Sequence, residues 1–342
     1  MHLLGALMVA LAKKVPELTA LILLSVLGYL IMLAFSQVQS TEILTATGAW
    51  WVVFFSFLLS TAIAIIAVIG GVGGGVIYTP IMLAFTSVDT LIIRSTGLVV
   101  AMFSGLVSSG PFMRSGLANI RIVFFCSVPI IVGAMLGAKA AIVLSTVMGD
   151  TGDAIVRLAL GGVLVFIAFL FITGGADTEY PKPKKIDKLS TKLGLSAEYW
   201  EESLQKPVRF QAVRALPGGL LFLAVGFTGG FFGLGGGWAV VPVLNLVMAV
   251  PLKVSAASSG VLLAMGNAAA IWPYIKAGAL IAVFAVPWML GQVIGGILGA
   301  HILAKIKAGF VRNILIVLLL LTSIKLISRG IEGIFGIDIP VI

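Results

Sequence analysis

Long apolar runs dominate this chain and restrict the folds that it can adopt. They lie at about 18–35, 50–70, 91–112, 121–144, 155–173, 214–232, 255–275, 279–301 and 310–328. Each run is near-continuous over about 20 residues, as a transmembrane helix requires, whereas the strands of a membrane barrel alternate over about 10. The chain is 60% hydrophobic and only 10% charged, against about 25% charged in soluble proteins. The sequence therefore predicts an all-α polytopic membrane protein.

Two glycine-rich phrases interrupt these runs at matching places. The first, Gly70 to Gly75, is followed by four residues and then Pro80, and the second, Gly233 to Gly237, is followed in the same way by four residues and Pro242. Glycine and proline break helices, and a break exposed to lipid would leave costly unsatisfied backbone groups. Paired breaks in two halves of a chain are typical of the binding site of a secondary transporter. We therefore expect a short helix after each phrase.

The two halves of the chain also align beyond the glycines. Ser95-Thr96-Gly97 matches Ser258-Ser259-Gly260, about 163 residues further on. The alignment predicts two pseudo-symmetric helical repeats, preceded by one extra amino-terminal helix at 18–35. The predicted organisation is an amino-terminal helix and linker over 1–49, repeat one over 50–173, a basic loop over 174–213 and repeat two over 214–342.

The distribution of positive charge favours inverted repeats. If the short segments 76–86 and 238–250 cross the membrane, 16 of the 22 Lys and Arg residues face the cytoplasm, whereas 13 do if these segments re-enter. The positive-inside rule favours the first topology, although eleven helical residues span only about 16 Å of a ~30 Å hydrocarbon core. We interpret the basic loop as cytoplasmic rather than as a nucleic-acid site. Within it, Ser196 to Gln205 is predicted to form a short amphipathic helix.

The glycine breaks are the first candidates for a binding site. Three consecutive glycines cost a helix about 1 kcal/mol each relative to alanine, and close packing needs only one per turn. A non-helical turn whose N–H groups face a ligand, followed by the positive end of a short helix, favours an anion. A hydroxyl pair after each break, one amide and one arginine add possible donors. The predicted substrate-binding residues are Gly73, Gly74, Gly75, Arg94, Ser95, Thr96, Gly235, Gly236, Gly237, Ser258, Ser259 and Asn267.

Several of these polar side chains have alternative interpretations. Serine and threonine in membrane helices often bond to their own backbone, and Arg94 could extend to a membrane interface. Asn267 and Gln292 are equally consistent with helix–helix contacts and with ligand contacts.

Other glycines follow the Gly-x-x-x-Gly spacing that lets helices approach closely. We interpret the pairs Gly133/Gly137, Gly291/Gly295 and Gly295/Gly299 as packing contacts. Enzyme signatures are absent from the sequence, and the glycine phrases lack the lysine of a nucleotide-binding loop. The sequence therefore predicts no catalytic activity, no cofactor and no metal site. Coupling to a proton or sodium gradient and the oligomeric state both stay open.

The doubled pattern of Gly-Gly-Gly, four residues and Pro, with a Ser/Thr-Gly pair about 16–17 residues later, resembles the TauE/SafE sulfite exporter family. The resemblance covers roughly residues 50–330 and implies a polytopic inner-membrane secondary carrier without an ATPase domain. It further implies a small sulfur-containing anion as substrate, such as sulfite, thiosulfate or an organosulfonate like sulfoacetate. A passive anion channel and a membrane scaffold that transports nothing are the alternatives, although a scaffold has no need of paired breaks.

Overall fold

A computed structural model describes residues 46–70, 72–114, 116–173, 181, 187–201, 205–303, 308–337 and 339. The predicted helix at 18–35 lies outside these residues. Repeat one forms α1 Ala46–Gly70, α2 Gly74–Phe85, α3 Thr90–Arg114 and α4 Ile120–Thr173. The segment between the repeats forms α5 Lys188–Lys192, β1 Ser196–Glu201 and β2 Lys206–Gln211. Repeat two forms α6 Ala215–Phe232, α7 Gly237–Pro242 with a π-helical turn Val243–Val247, α8 Leu252–Lys276, α9 Ala282–Leu303 and α10 Ala308–Phe335.

The long helix α4 consists of two arms. Gly149 has φ 50° and ψ −130°, outside the helical region. The Ser145 hydroxyl donates to Asp153 Oδ1 over 2.9 Å, although eight residues of straight helix would separate these positions by about 12 Å. The bend gives each repeat the same order of elements, which is a long helix, a short helix and three further long helices. This order agrees with the predicted pseudo-symmetry, and the inversion of the repeats stays a prediction.

The lengths of the helices fit a protein that crosses a membrane several times. Five helices of the described chain, namely α3, α4, α6, α8 and α10, are long and apolar enough to span a bilayer. Shorter apolar stretches lie at Val53–Val68, Gly74–Phe85, Gly237–Val247 and Phe284–Gly299. The prediction of a helical membrane protein with short helices after the glycine phrases is confirmed, although the segment between the repeats also contains two strands. The short helix α2 has 12 residues and is about 18 Å long.

The two repeats interlock through glycine-lined helix contacts. The first arm of α4 packs on α6, and α9 packs in the equivalent way on α1. A Cβ on Gly133 would lie 2.9 Å from the amide nitrogen of Phe227, and one on Gly291 would lie 2.8 Å from the Phe57 carbonyl oxygen. Real Cβ atoms essentially never come closer than 3.0 Å. A Cβ on Gly137 or Gly295 would likewise come closer than 3.0 Å to the backbone of the partner helix, and one on Gly299 would lie 3.0 Å from the Cα of Ile65. The predicted packing role of these glycines is confirmed.

The segment between the repeats contains a β-hairpin where a helix was predicted. Strands β1 and β2 pair antiparallel, with Ser196 opposite Gln211 and Glu201 opposite Lys206. Along β1 the burial alternates, so that Tyr199 and Glu201 are buried. The helix prediction over Ser196 to Gln205 was wrong because aromatic residues and cross-strand partners favour a strand here, and only the distant sequence supplies those partners.

The hairpin is docked on the helical part of the protein. Buried Glu201 forms an ion pair with Lys253 in the first turn of α8. The Val213 N–H donates to the Met248 carbonyl oxygen over 2.9 Å, directly after the π-helical turn. The hairpin therefore lies against the end of the short helix of repeat two.

Candidate functional site

The two glycine breaks lie against each other in the folded chain. Gly73 has φ +82° and Gly235 has φ +69°, in a left-handed region that residues with a Cβ rarely adopt. A Cβ on Gly75 would lie 2.6 Å from the Leu234 carbonyl oxygen, and one on Gly237 would collide with the Val72 carbonyl oxygen. Both contacts join the backbone of one break directly to the backbone of the other. Two phrases that are far apart in the sequence thus form a single glycine-lined zone.

Polar side chains from α3 and α9 surround the first break. The Gly74 N–H donates to Ser104 Oγ over 3.2 Å. Gln292 is fully buried, and its Nε2 lies 3.2 Å from both the carbonyl oxygen and the hydroxyl of Ser60 on α1. Its Oε1 is turned toward Gly74, where an added Cβ would overlap it. No donor within the described residues reaches this oxygen, so the first break presents an unpartnered acceptor.

The second break lies beside a buried amide and a small cavity. Asn267 on α8 is 3% exposed, and its Nδ2 has no acceptor within the part of the chain that the structure describes. A Cβ on Gly235 would lie 3.0 Å from that nitrogen. The cavity has a volume of about 10 Å³, and its lining includes Gly229, Gly236, Ala134 and Asn267. This is about the space that one water molecule needs, so the second break presents an unpartnered donor at a small polar cavity.

The first member of each hydroxyl pair holds a loop of the other repeat. Ser95 Oγ is buried and lies 2.9 Å from the Ala279 carbonyl oxygen, in the loop before α9. Ser258 Oγ is also buried and accepts a hydrogen bond of 3.3 Å from the Asn119 N–H, in the loop before α4. These equivalent contacts tie α3 and α8 to the opposite repeat. A direct part of either hydroxyl in substrate binding stays a prediction.

The second members of the pairs differ from each other. Thr96 is buried, and its hydroxyl has no hydrogen-bond partner within the described residues. Ser259 is partly exposed and donates to the carbonyl oxygen of Ala256 in its own helix, over 2.8 Å. The Ser259 hydroxyl thus bonds to the backbone of its own helix, as the alternative interpretation of these hydroxyl pairs predicts.

Arg94 is fully buried and connects α3 to the bend of α4. Its Nη2 donates to Ser145 Oγ over 2.7 Å and lies 3.8 Å from Asp153 Oδ1, and its Nε donates to the Thr90 carbonyl oxygen over 3.1 Å. Its burial argues against the interpretation that this side chain extends to a membrane interface. The hydrogen bonds of the guanidinium join the start of α3 to the bend of α4. Contact of the guanidinium with substrate stays a prediction.

The comparisons with known proteins cover nearly all of the described region. The chain matches the family described as Sulfite exporter TauE/SafE over residues 1–147 and again over 55–326. The chain belongs to the TauE/SafE family. It is also 24% identical over 290 residues to the probable membrane transporter protein YunE of Bacillus subtilis (strain 168), in an alignment that covers 81% of this chain and 99% of that protein. No solved structure matches the chain.

Membership of the TauE/SafE family makes this chain a multi-pass membrane transporter and not an enzyme. The second family match includes both glycine breaks, Asn267 and Gln292. The resemblance inferred from the doubled glycine pattern is confirmed, whereas the individual substrate is not given by the family.

Sequence reasoning did not single out Ser104 and Ser60 in this TauE/SafE protein. The signal for Ser104 was present, because Ala101-Met102-Phe103-Ser104 aligns with Ala264-Met265-Gly266-Asn267 at the same separation as the hydroxyl pairs. No comparable signal exists for Ser60, since its contact with Gln292 joins α1 to α9 across 232 residues.

Proposed function

We propose that the protein is a secondary transporter that moves a small sulfur-containing anion across the bacterial inner membrane. Sulfite, thiosulfate and organosulfonates such as sulfoacetate are the substrate class. The observation that carries this proposal is the meeting of the two glycine breaks beside an unpartnered, buried Asn267 amide. A buried donor without a partner is costly, and an oxyanion would satisfy it.

The anion would bind between Gly73–Gly75 and Gly235–Gly237, with Asn267 as a side-chain donor. Backbone N–H groups and neutral amides would hold the oxyanion through hydrogen bonds alone. Because such a site contains no cationic side chain, release of the anion does not require an ion pair to be broken. Ser95 and Ser258 would contribute by holding the loops that position the opposite repeat. Arg94 would act at the helix ends rather than on the substrate.

Transport requires the breaks to move apart. The cavity of about 10 Å³ holds about one water, and a sulfur oxyanion is several times larger. We infer that the two repeats are inverted and that rocking of one against the other opens the zone to each side in turn. The reciprocal packing of α4 on α6 and of α9 on α1 supports such rigid-body motion, because it gives each repeat an equivalent surface on the other.

A flux assay with purified protein in proteoliposomes tests the proposal. Labelled sulfite, thiosulfate and a sulfonate are offered separately, with and without a proton or sodium gradient. Saturable flux of at least one anion is expected, and it should be lost in the double variant Gly74→Leu plus Gly236→Leu. Gly162→Ala serves as the matched control, because a Cβ at that exposed helical glycine meets no atom within 4 Å.

The alternatives give different results in the same assay. A passive channel would conduct without saturation and without response to a gradient. A scaffold would show no flux of these anions, and its double glycine variant would behave like the parent protein. Saturable flux of none of the three anions would refute the proposed substrate class.

A further inference from the structure

Each glycine break lies beside one buried side-chain group that lacks a hydrogen-bond partner among the residues that the structure describes, and one of these groups is a donor whereas the other is an acceptor. Asn267 leaves a donor without a partner, and Gln292 leaves an acceptor without a partner, each within the described residues. Both side chains are almost completely buried, at 3% and 0% exposure. Such groups are rare in folded proteins and call for a partner.

The orientation of the Gln292 amide follows from its contacts. Its Nε2 lies 3.2 Å from two oxygens of Ser60, the carbonyl and the hydroxyl. Because the hydroxyl of Ser60 donates to the Trp288 carbonyl oxygen over 2.7 Å, it can only accept from Gln292. The amide nitrogen must therefore face Ser60, and Oε1 must face Gly74.

Each of the two amides reaches one of the two breaks that meet in the fold. The Ala101 side chain lies 2.8 Å from the Cβ position of Gly75 and 2.7 Å from that of Gly235. Gln292 reaches the first of these breaks at Gly74, and Asn267 reaches the second at Gly235. A small ligand that separates the breaks would thus meet a donor from one repeat-two helix and an acceptor from the next.

We propose that the substrate is bound as a hydrogen-bearing monoanion, in the manner of hydrogensulfite. This inference rests on the proposed function. An unprotonated oxygen of the anion accepts from Asn267 Nδ2, and its O–H group donates to Gln292 Oε1. A carbonyl oxygen repels an oxyanion that has no proton to donate, so within the proposed substrate class Gln292 favours hydrogensulfite over the sulfite dianion and over sulfonates that lack an acidic proton.

Hydrogensulfite and methanesulfinate are the probes that test Gln292. Both are pyramidal monoanions, and methanesulfinate carries a methyl group where hydrogensulfite carries the hydroxyl. Affinities are measured by competition against saturable flux in proteoliposomes, below and above the second ionisation of sulfite. The parent protein is expected to favour hydrogensulfite by about tenfold or more, and total sulfite should bind more weakly as the pH rises, while methanesulfinate binding should not change.

The variant Gln292→Met keeps the length of the side chain and replaces the carbonyl with a weak acceptor. Its ratio of affinities for the two anions should fall to about one, and because the ratio is internal to each variant, partial misfolding does not affect it. Thr322→Val on α10 is the control, since that buried hydroxyl bonds within its own helix, and its ratio should equal that of the parent.

Three outcomes overturn the inference. Sulfite binding that strengthens or stays constant above its second ionisation would show that the dianion is bound. An equal loss of both affinities in Gln292→Met would show a structural role only. Saturable flux without preference between the probes overturns the inference and leaves the proposed function standing, whereas absence of flux for every sulfur anion refutes both.

Discussion

Asn267→Leu removes the unpartnered amide and keeps the branched shape of the side chain. In the protein without substrate, the buried Nδ2 makes no hydrogen bond within the described residues, and a buried unsatisfied donor costs about 1–3 kcal/mol. We therefore expect the variant to be as stable as the parent protein or more stable, by up to about that amount. Anion affinity should fall at the same time by about 10- to 100-fold, as for a lost hydrogen bond to a charged group.

Asn245→Leu is the matched control. Asn245 is 1% exposed, so the burial of the two asparagines is equivalent. Its Nδ2 donates to the Val250 carbonyl oxygen over 2.8 Å. The same substitution here breaks a buried hydrogen bond and should destabilise the protein by about 0.6–1.7 kcal/mol, the range for such bonds in membrane proteins. The two variants are thus expected to shift stability in opposite directions or, at the least, by different amounts.

Thermal unfolding can be followed through the single cysteine of the chain. Cys126 is fully buried, so a thiol-reactive fluorophore labels it only as the helices separate. The unfolding midpoint of Asn267→Leu should equal or exceed that of the parent, and that of Asn245→Leu should be lower. Destabilisation of Asn267→Leu to the same extent as Asn245→Leu would refute the reasoning, because it would mean that the Asn267 amide has a structural partner.

Three further predictions concern the breaks, the arginine and the topology. Gly237→Ala should destabilise the protein by about 1–3 kcal/mol in the same unfolding assay, whereas Gly162→Ala should be neutral or stabilise it by up to about 1 kcal/mol; equal effects would contradict the contact between the breaks. Arg94→Ala should lower stability by less than the about 3–5 kcal/mol of a fully buried pair, since Asp153 is 21% exposed. Its anion affinity in flux assays should be unchanged, and a selective loss of affinity would return Arg94 to the site. A reporter fused to the carboxyl terminus should lie outside the cytoplasm, and a cytoplasmic reporter would contradict inverted repeats of five crossings.

Much of the helical framework could be predicted because its causes are local. An apolar run of about 20 residues satisfies its own backbone only as a helix in a membrane, and three glycines in a row interrupt that helix wherever they occur. The positions of α2 and α7 after the glycine phrases follow from these effects. The Gly-x-x-x-Gly pairs were likewise recognisable, since their spacing places small residues on one helix face.

The hairpin over 196–211 could not be predicted in the same way. Ser196 and the acidic residues after it are compatible with the start of a helix, and the choice of a strand depends on partners that lie elsewhere. Glu201 is held by Lys253, which follows it by 52 residues. Local preference for a helix is weak and is readily overcome by such tertiary contacts.

By itself, the sequence determined a helical membrane protein with two glycine breaks, because backbone satisfaction in a bilayer and the flexibility of glycine act over a few neighbouring residues. Its doubled glycine pattern also resembled the TauE/SafE family, which the family match confirmed. The tertiary structure alone decided which buried polar side chains have hydrogen-bond partners within the described residues. Asn245 and Asn267 are both asparagines in apolar surroundings, and only the folded chain supplies the Val250 carbonyl to the first while leaving the second, within the described residues, without an acceptor. The same holds for Gln292, whose orientation is set by Ser60 on a distant helix. Hydrogen-bond partners are a property of contacts between helices, which no short stretch of sequence contains.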